Sequence, residues 1–421
     1  MRKNHLWYQM FRFPIVKTGL NFFYRKIVIS GREKIPNDKP VLFVPNHQNS
    51  FMDALHVVTN VRPFIYFLTR AEAFSSKPMD WFLRSLNMLP VYRVRDGFSS
   101  IQKNNAIFEQ CIEYMHRNDA ILVFAEANHN LKKRIRPLSK GFTRVAFGGA
   151  DSSNWELDIQ IIPVGINYTE HQRSQNTVQV FYGDPIPVHK YRALFEEDEN
   201  AAAQQMKEDV SEAMKQLVFH VEELDEYPVQ EILWNDLEPE EHVLTHPEIV
   251  NPRIEKTKKH ITPELIEEAN EVKKLEKKHD LSLRDFAVSR GLSFKEFLLF
   301  PFYMFSYFNN LIPYQPVKYL TSNIIKDRAF VASIKFLTGL FALPIFYILV
   351  SSVLYFTGVD SLWIWGYALL SISTAPLFPR GKELFAPDKI KEFQRAHPDD
   401  FNQIVDILAA FQKLRDKILS E

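Results

Sequence analysis

An apolar run at residues 39–45, KPVLFVP, breaks off into Asn46-His47, and a carboxylate, Asp53, follows six residues after the histidine. An imidazole titrates near working pH and is the commonest general base. A carboxylate on its second ring nitrogen fixes the tautomer and supports the imidazolium formed when a proton is taken up. A separation of six does not place two side chains on one face of a straight helix, so the chain must turn between them. Asn46, Asn49 and Ser50 supply turn and N-cap chemistry at that place. The pattern therefore predicts His47 in a loop at a strand exit and Asp53 in the first turn of a helix. The competing reading is a capped helix with an incidental histidine.

Three further stretches place polar residues just after apolar ones. LPVYRVRD, at residues 89–96, puts Arg93 and Arg95 on one face of an extended segment. The stretch at residues 124–144 carries Glu126, Asn128 and His129, then Lys132, Lys133, Arg134, Arg136 and Lys140. A basic cluster beside a strand end suits an anionic substrate such as a phosphate. IIPVGINY, at residues 161–168, sets Pro163 and Gly165 at another expected strand exit. Taken singly, a basic cluster reads as a solvated face and a Pro-x-Gly as a turn. No metal site is read, because the thirteen histidines form no spaced ligand set. His47 and His129 could in principle meet with Asp53 and Glu126 around zinc. Glycine-rich nucleotide loops and a Gly-x-Ser-x-Gly elbow are absent from the sequence, and the charge pattern gives no support for nucleic-acid binding.

The elements that must hold these residues alternate. Strand-like runs fall at 41–44, 64–68, 89–93, 120–124, 157–164 and 178–182. Helical patterns fall at 52–61, 73–86, 99–116 and 139–147. Most strand runs are apolar throughout, as in a sheet covered on both faces. The order implies an α/β fold with a mostly parallel sheet flanked by helices, and ligands belong at the carboxyl ends of its strands.

The rest of the chain divides as follows. Residues 1–34 read as a basic aromatic segment lying on a membrane surface, and 35–190 as the α/β domain. Residues 191–295 read as a helical region, with an amphipathic helix through Met206, Val210 and Met214, a solvated acidic run at 222–241, and a helix opened by Thr262-Pro263. Residues 296–380 read as membrane-associated and 381–421 as a helical tail. Between Lys335 and Asp360 lie 24 uncharged residues, and 361–379 adds 19 more. A helix rising ~1.5 Å per residue over such lengths reaches across the ~30 Å hydrocarbon core. The short link has no basic residue while Lys326, Arg328, Lys335, Arg380 and Lys382 flank the pair, so the positive-inside rule predicts a membrane helical hairpin with both ends in the cytoplasm. Residues 297–317 are also uncharged, but Pro301, Asn309, Asn310, Pro313 and Pro316 suit an interfacial or re-entrant segment better than a clean span. The chain is 46% hydrophobic with 35 Phe, which favours membrane contact, and its single cysteine, Cys111, excludes an internal disulfide.

The ordered set NHQNSFMD, VYRVRD, FAEANH followed by RPLSKG, IIPVGINY and FYGDPIP resembles the sequence blocks of the glycerophospholipid acyltransferase superfamily, the PlsC-like lysophosphatidate and glycerol-3-phosphate acyltransferases. The resemblance implies a membrane-bound O-acyltransferase with the catalytic domain on the cytoplasmic side, in a bacterial inner membrane. It implies His47 as general base and Asp53 as its support. Arg93 would contact the acceptor phosphate, Glu126 would shape the acceptor site, and Pro163 would lie near the acyl channel. Asn128, His129, Lys133 and Arg136 complete the candidate substrate contacts. The implied partners are a lipid bilayer, a glycerol-phosphate or lyso-lipid acceptor, and acyl-CoA or acyl-carrier protein as donor, with no further cofactor. The departures are five residues rather than four between His47 and Asp53, Ala127 in place of the third block's glycine, and His129 in place of its arginine. They admit a different lyso-lipid or amino-acid lipid as acceptor. A non-catalytic lipid-binding protein on the same fold is the rival of another class.

Overall fold

Strand β2 (Val41–Pro45) is buried at every position, as an all-apolar strand must be if it is to be stable inside a sheet. The computed structural model describes residues 5–92, 98–237, 246–287, 294–385 and 388–421. In it β2 lies within an eight-stranded sheet. The other strands are β1 (Lys26–Ser30), β3 (Ile65–Arg70), β4 (Met88–Val91), β5 (Ala120–Leu122), β6 (Gln160–Tyr168), β7 (Thr177–Tyr182) and β8 (Ile186–Pro187). The order is β1-β7-β6-β2-β5-β3-β4, with β8 paired to β6. From β4 to β6 all neighbours run parallel, while β7 and β8 run antiparallel to β6. Leu42, Val44, Ile121 and Ile161 pack in one cluster with Met115, Phe142, Met206 and Val210 from the helices Phe98–Met115, Gly141–Ser152 and Glu199–Lys215. All six expected strands form, and the fold is the expected α/β sheet flanked by helices.

The chain divides into two compact units. The first holds the sheet and takes in the described residues of Met1–Asn21, Lys26–His171 and Val178–His220. The second holds Phe22–Arg25, Gln172–Thr177 and the described residues of Val221–Glu421. Three expected boundaries move. Residues 1–34 are not a separate segment: β1 is an edge strand of the sheet, and Tyr8, Val16 and Leu20 are buried. Arg12 is also buried, donating to the carbonyls of Val58, Val61 and Pro63 at the end of the Phe51–Val58 helix. A guanidinium there satisfies carbonyls that a helix end leaves unpaired. Residues 191–220 belong with the sheet rather than with the helical region, because Met206, Val210, Met214 and Val218 are core residues of the first unit. Residues 381–421 are no separate tail: Ile404, Leu408, Phe411 and Ile418 of the Pro398–Ser420 helix are buried within the second unit.

Local corrections follow from partners that lie far away in sequence. Pro163 and Gly165 sit inside β6, not at its exit, because the strand runs on to Tyr168. A side chain carries the ladder past Pro45: Asn46 Nδ2 donates to the Ile166 carbonyl at 3.0 Å and Asn46 Oδ1 accepts the Ile166 N–H at 2.7 Å. Gly165 has to lack a side chain, since a Cβ there would stand 2.2 Å from the Leu217 carbonyl oxygen. The acidic run is not wholly solvated: Tyr227, Val229, Ile232, Leu233 and Trp234 between its acids are buried. The cation it lacks comes from the Pro263–Lys278 helix, where Lys273 Nζ meets Asp236 at 2.6 Å and Glu231 at 3.0 Å.

The C-terminal apolar residues form a helix at Val331–Phe356 and another at Ser361–Thr374. The second is shorter than expected, giving way to a 3₁₀ turn at Ala375–Leu377 and a further helix at Phe378–Phe385. Pro376 accounts for the break, because it has no N–H to continue the ladder. The proline-rich stretch is also helical, from Phe294 to Tyr319.

His56, on the Phe51–Val58 helix, is fully buried, and burial pushes its imidazole down from the usual 6.5 to about 4, against the opposing influence of Asp53. Between those values the unfolded chain binds a proton that the folded chain excludes. Stability is therefore complete above about pH 6.5 and is lost as pH falls toward 4. The linkage amounts to about 3 kcal/mol at about 1.4 kcal/mol per pH unit. Urea midpoints of the wild type and His56→Leu at pH 7 and pH 4.5 check this. The variant is expected to lose distinctly less stability on acidification, and equal losses would refute the assignment.

Candidate active site

β2 and β5 are neighbours in the sheet, so their carboxyl ends deliver His47 and Glu126 to the same place. His47 follows β2 by two residues and Glu126 follows β5 by four. The His47 N–H donates to Glu126 Oε2 at 2.8 Å, and the His47 carbonyl accepts the Asn130 N–H at 3.0 Å. Its ring stacks on Phe124 with centroids 3.9 Å apart, and His129 stands edge-on at 5.6 Å. The backbone and ring plane of His47 are thus both fixed.

His47 Nδ1 lies 2.9 Å from Asp53 Oδ2. The turn that the sequence requires is present, and in it Ser50 has φ 49 and ψ −127, a conformation rare for a residue with a Cβ. Asp53 is fully buried in the first turn of its helix and accepts three more hydrogen bonds. The N–H groups of Gln48 and Asn49 each donate to Oδ2 at 2.8 Å, and the Tyr168 hydroxyl donates to Oδ1 at 2.7 Å. Gln48 and Asn49 are tied in turn to His171, at 3.0 Å each. The His47 side chain remains 14% exposed, and among the described residues no hydrogen bond is made to its Nε2. An imidazole held at Nδ1 with Nε2 open has the geometry of a general base.

The other candidates divide. Glu126 is buried, and burial pushes its carboxyl above the usual range, opposed by Arg136 and by the two N–H groups it accepts from. Arg136 donates to it through both its backbone N–H, at 2.7 Å, and its guanidinium, at 3.3 Å. Asn128 draws two guanidinium groups together: Arg70 Nη2 donates to its Oδ1 at 2.8 Å, and Arg136 Nη2 donates to its carbonyl. Lys133 is not at the surface of this cluster; it is buried, with Nζ 3.5 Å from the Thr169 carbonyl. Pro163 is buried in β6 opposite Val44, three residues short of His47 along the neighbouring strand. Arg93 lies outside the described residues. The structure adds residues that the sequence did not single out: Tyr168 on Asp53, Phe124 under His47, and Arg70 at the end of β3. Arg70 follows a recognisable strand, a signal that could have found it. Tyr168 lies 115 residues from Asp53, and nothing local marks their pairing.

As for metal ligands among the described residues, His279, His397 and Asp400 of the second unit lie within 4.8 Å of one another. Asp400 already accepts from Lys278 at 2.9 Å and from His279 at 2.8 Å. That arrangement is a complete ion pair as it stands.

Ala127 has φ 62, the left-handed conformation that favours glycine. The loop keeps the backbone path of a glycine while carrying a methyl group. Ala127→Gly is expected to raise stability by about 0.5–1 kcal/mol, read as a higher urea midpoint with an unchanged slope.

Residues 26–167 match the family model described as Acyltransferase. Over 125 residues the chain is 31% identical to a 1-acyl-sn-glycerol-3-phosphate acyltransferase of Chlamydomonas reinhardtii, covering 30% of this chain and 35% of that protein. Over 86 residues it is 26% identical to glycerol-3-phosphate O-acyltransferase 1 of Saccharomyces cerevisiae, covering 20% of this chain and 11% of that protein. The chain thus spans about a third and about a tenth of the length of these two relatives. Among solved structures, the 1-acyl-sn-glycerophosphate acyltransferase PlsC of Thermotoga maritima aligns at 20% identity with a TM-score of 0.36, over 50% of this chain and 83% of that one. Residues 26–167 thus match an acyltransferase domain and are similar to those of glycerol-phosphate acyltransferases.

Proposed function

We propose that the protein transfers a fatty acyl group from an acyl thioester, on coenzyme A or acyl-carrier protein, to a hydroxyl of glycerol-3-phosphate or 1-acyl-glycerol-3-phosphate. The observation that carries this reading is the 2.9 Å contact between His47 Nδ1 and an Asp53 carboxylate whose other bonds are all accounted for. His47 Nε2 removes the proton from the acceptor hydroxyl as its oxygen attacks the thioester carbonyl. The C–O bond forms, the C–S bond breaks, and the imidazolium returns its proton to the departing thiolate. The step so written needs no cofactor besides the donor. Asp53 holds the imidazole in the tautomer with Nδ1 protonated. Arg70 and Arg136, converging on Asn128, carry the acceptor phosphate as planar two-pronged donors. Glu126 acts through the His47 N–H and Arg136, as a positioning group rather than a substrate contact. The names of the two relatives support a glycerol-phosphate acceptor.

The protein works at a bilayer, anchored by its C-terminal hairpin. The most apolar window of Arg328–Phe356 has a mean hydropathy of 2.1, and only 6% of it is buried. Ile348 is 64% exposed and Trp363 74%. A core helix of a soluble protein would hide these side chains, whereas hydrocarbon welcomes them.

Purified protein in mixed micelles, supplied with acyl-CoA and each acceptor in turn, tests the chemistry. His47→Ala is expected to lower kcat by about 10²–10⁴-fold with an unchanged melting curve. Asp53→Asn is expected to approach that loss by favouring the wrong tautomer. Tyr168→Phe is expected to lower kcat by about tenfold, the worth of roughly one hydrogen bond of ~1.4 kcal/mol, and to leave KM nearly unchanged. Wild-type turnover by His47→Ala would sink the mechanism, and inactivity of the wild type with every acceptor would favour a lipid-binding role.

A further inference from the structure

The second unit contains a bundle whose polarity is reversed. Phe297, Phe302, Phe308 and Ile312 of the Phe294–Tyr319 helix are exposed, as are Ile348 and Leu369 of the hairpin. The polar groups lie inside. Ser306 and Asn310 are buried, and so are Ser371 and Thr374. They form a seam across three helices. The Ser306 hydroxyl donates to the Thr374 carbonyl at 2.7 Å, and Asn309 Nδ2 donates to Ser371 Oγ at 3.2 Å. The Tyr347 hydroxyl donates to Asn310 Oδ1 at 2.6 Å, and the Tyr367 hydroxyl donates to Asn309 Oδ1 at 3.0 Å. Water rewards the opposite arrangement, with apolar side chains in and amides out. Helices that associate in hydrocarbon gain nothing from hiding leucine and phenylalanine, and they join instead through hydrogen bonds among Ser, Thr and Asn.

We infer that the Phe294–Tyr319 helix is embedded in the acyl-chain region of a bilayer as the third member of this bundle, joined to the hairpin through Asn309 and Asn310. The inference rests on the membrane reading of the hairpin and extends it to a helix whose prolines and asparagines suggested an interfacial or re-entrant segment. Those residues mislead an average over the sequence, because the asparagines point inward and are already satisfied. The uncharged interval, residues 297–317, is 21 residues long, which at ~1.5 Å per residue matches the ~30 Å of hydrocarbon. Gln315 meets the Leu311 carbonyl at 2.8 Å, and Thr321 meets the Val317 carbonyl at 2.8 Å, so polar side chains near the prolines turn back onto the helix itself. Lipid is the occupant that fits, because the uncovered apolar residues lie on all three helices rather than on one face.

The test uses the full chain in vesicles of phosphatidylcholine and phosphatidylglycerol. In a Cys111→Ala background, single spin labels are placed by Phe302→Cys, Ile312→Cys, Ile348→Cys and Glu267→Cys. Collisions with oxygen, which concentrates in lipid, are compared with collisions with a water-soluble nickel chelate. Labels at 302 and 312 are expected to track 348, with an oxygen-to-nickel ratio several-fold above that at 267. If 348 sits in lipid while 302 and 312 follow 267, the third helix is outside the bilayer and the inference fails alone. If 348 also follows 267, the membrane reading fails with it. Labels at 302 and 312 shielded from both reagents would mean a protein partner covers the helix, which also overturns the inference. Labelling of the unmodified protein by a diazirine placed in lipid acyl chains, mapped by mass spectrometry, is expected to mark residues 297–312. It provides the same answer without substitutions.

Discussion

A buried carboxylate must find a donor for each of its oxygens, because hydrocarbon offers nothing in place of water. Asp53 meets that demand with two backbone N–H groups, an imidazole and a phenol. Each donor comes from a different structural decision. The N–H groups need the turn in which Ser50 adopts a positive φ. The phenol needs β6 to extend as far as Tyr168, where β7 pairs with one edge and the Asn46 side chain bonds Ile166 on the other. The imidazole needs a fixed ring plane, which Phe124 supplies. Oδ2 has three of these donors, but Tyr168 alone serves Oδ1, and moving β6 would leave that oxygen unpaired at a cost of about 1–3 kcal/mol. The site and the sheet therefore stabilise each other.

The two units use asparagine in different ways. In the sheet unit, apolar strands and helices close on each other, and Asn46 and Asn167 act as pieces of backbone. Asn167 Nδ2 donates to the Leu217 carbonyl at 2.9 Å while its Oδ1 accepts the Phe219 N–H at 3.0 Å. In the helical bundle the asparagines join helix to helix, while Phe297, Phe302 and Phe308 stay outside. The same residue type thus does opposite work in the two units, and composition alone cannot separate the cases.

Much of the sheet was legible because burial on both faces leaves an unbroken apolar run, and each of the six runs became a strand. The pairing of His47 with Asp53 was legible because turn residues separate them by a fixed short distance. What could not be read depends on contacts distant in sequence. β1 and β8 are short and only partly buried, so their residues lack a strong periodic mark. One edge of the extended β6 is met by Asn46, 120 residues away. Lys133 looked like one of several surface cations, and only the fold shows it turned inward to Thr169. Arg12 looked like part of a basic membrane-facing stretch, yet its charge is spent on carbonyls.

That last contact reaches further than its location suggests. The Phe51–Val58 helix has Asp53 near its start and Arg12 clasped to its far end. A guanidinium from the opening segment of the chain therefore serves as the rear anchor of the element that aims the carboxylate. Anything that tugs on that opening segment, whether a fused tag or a proteolytic nick, has a lever of about two helical turns with the His47–Asp53 contact at its other end.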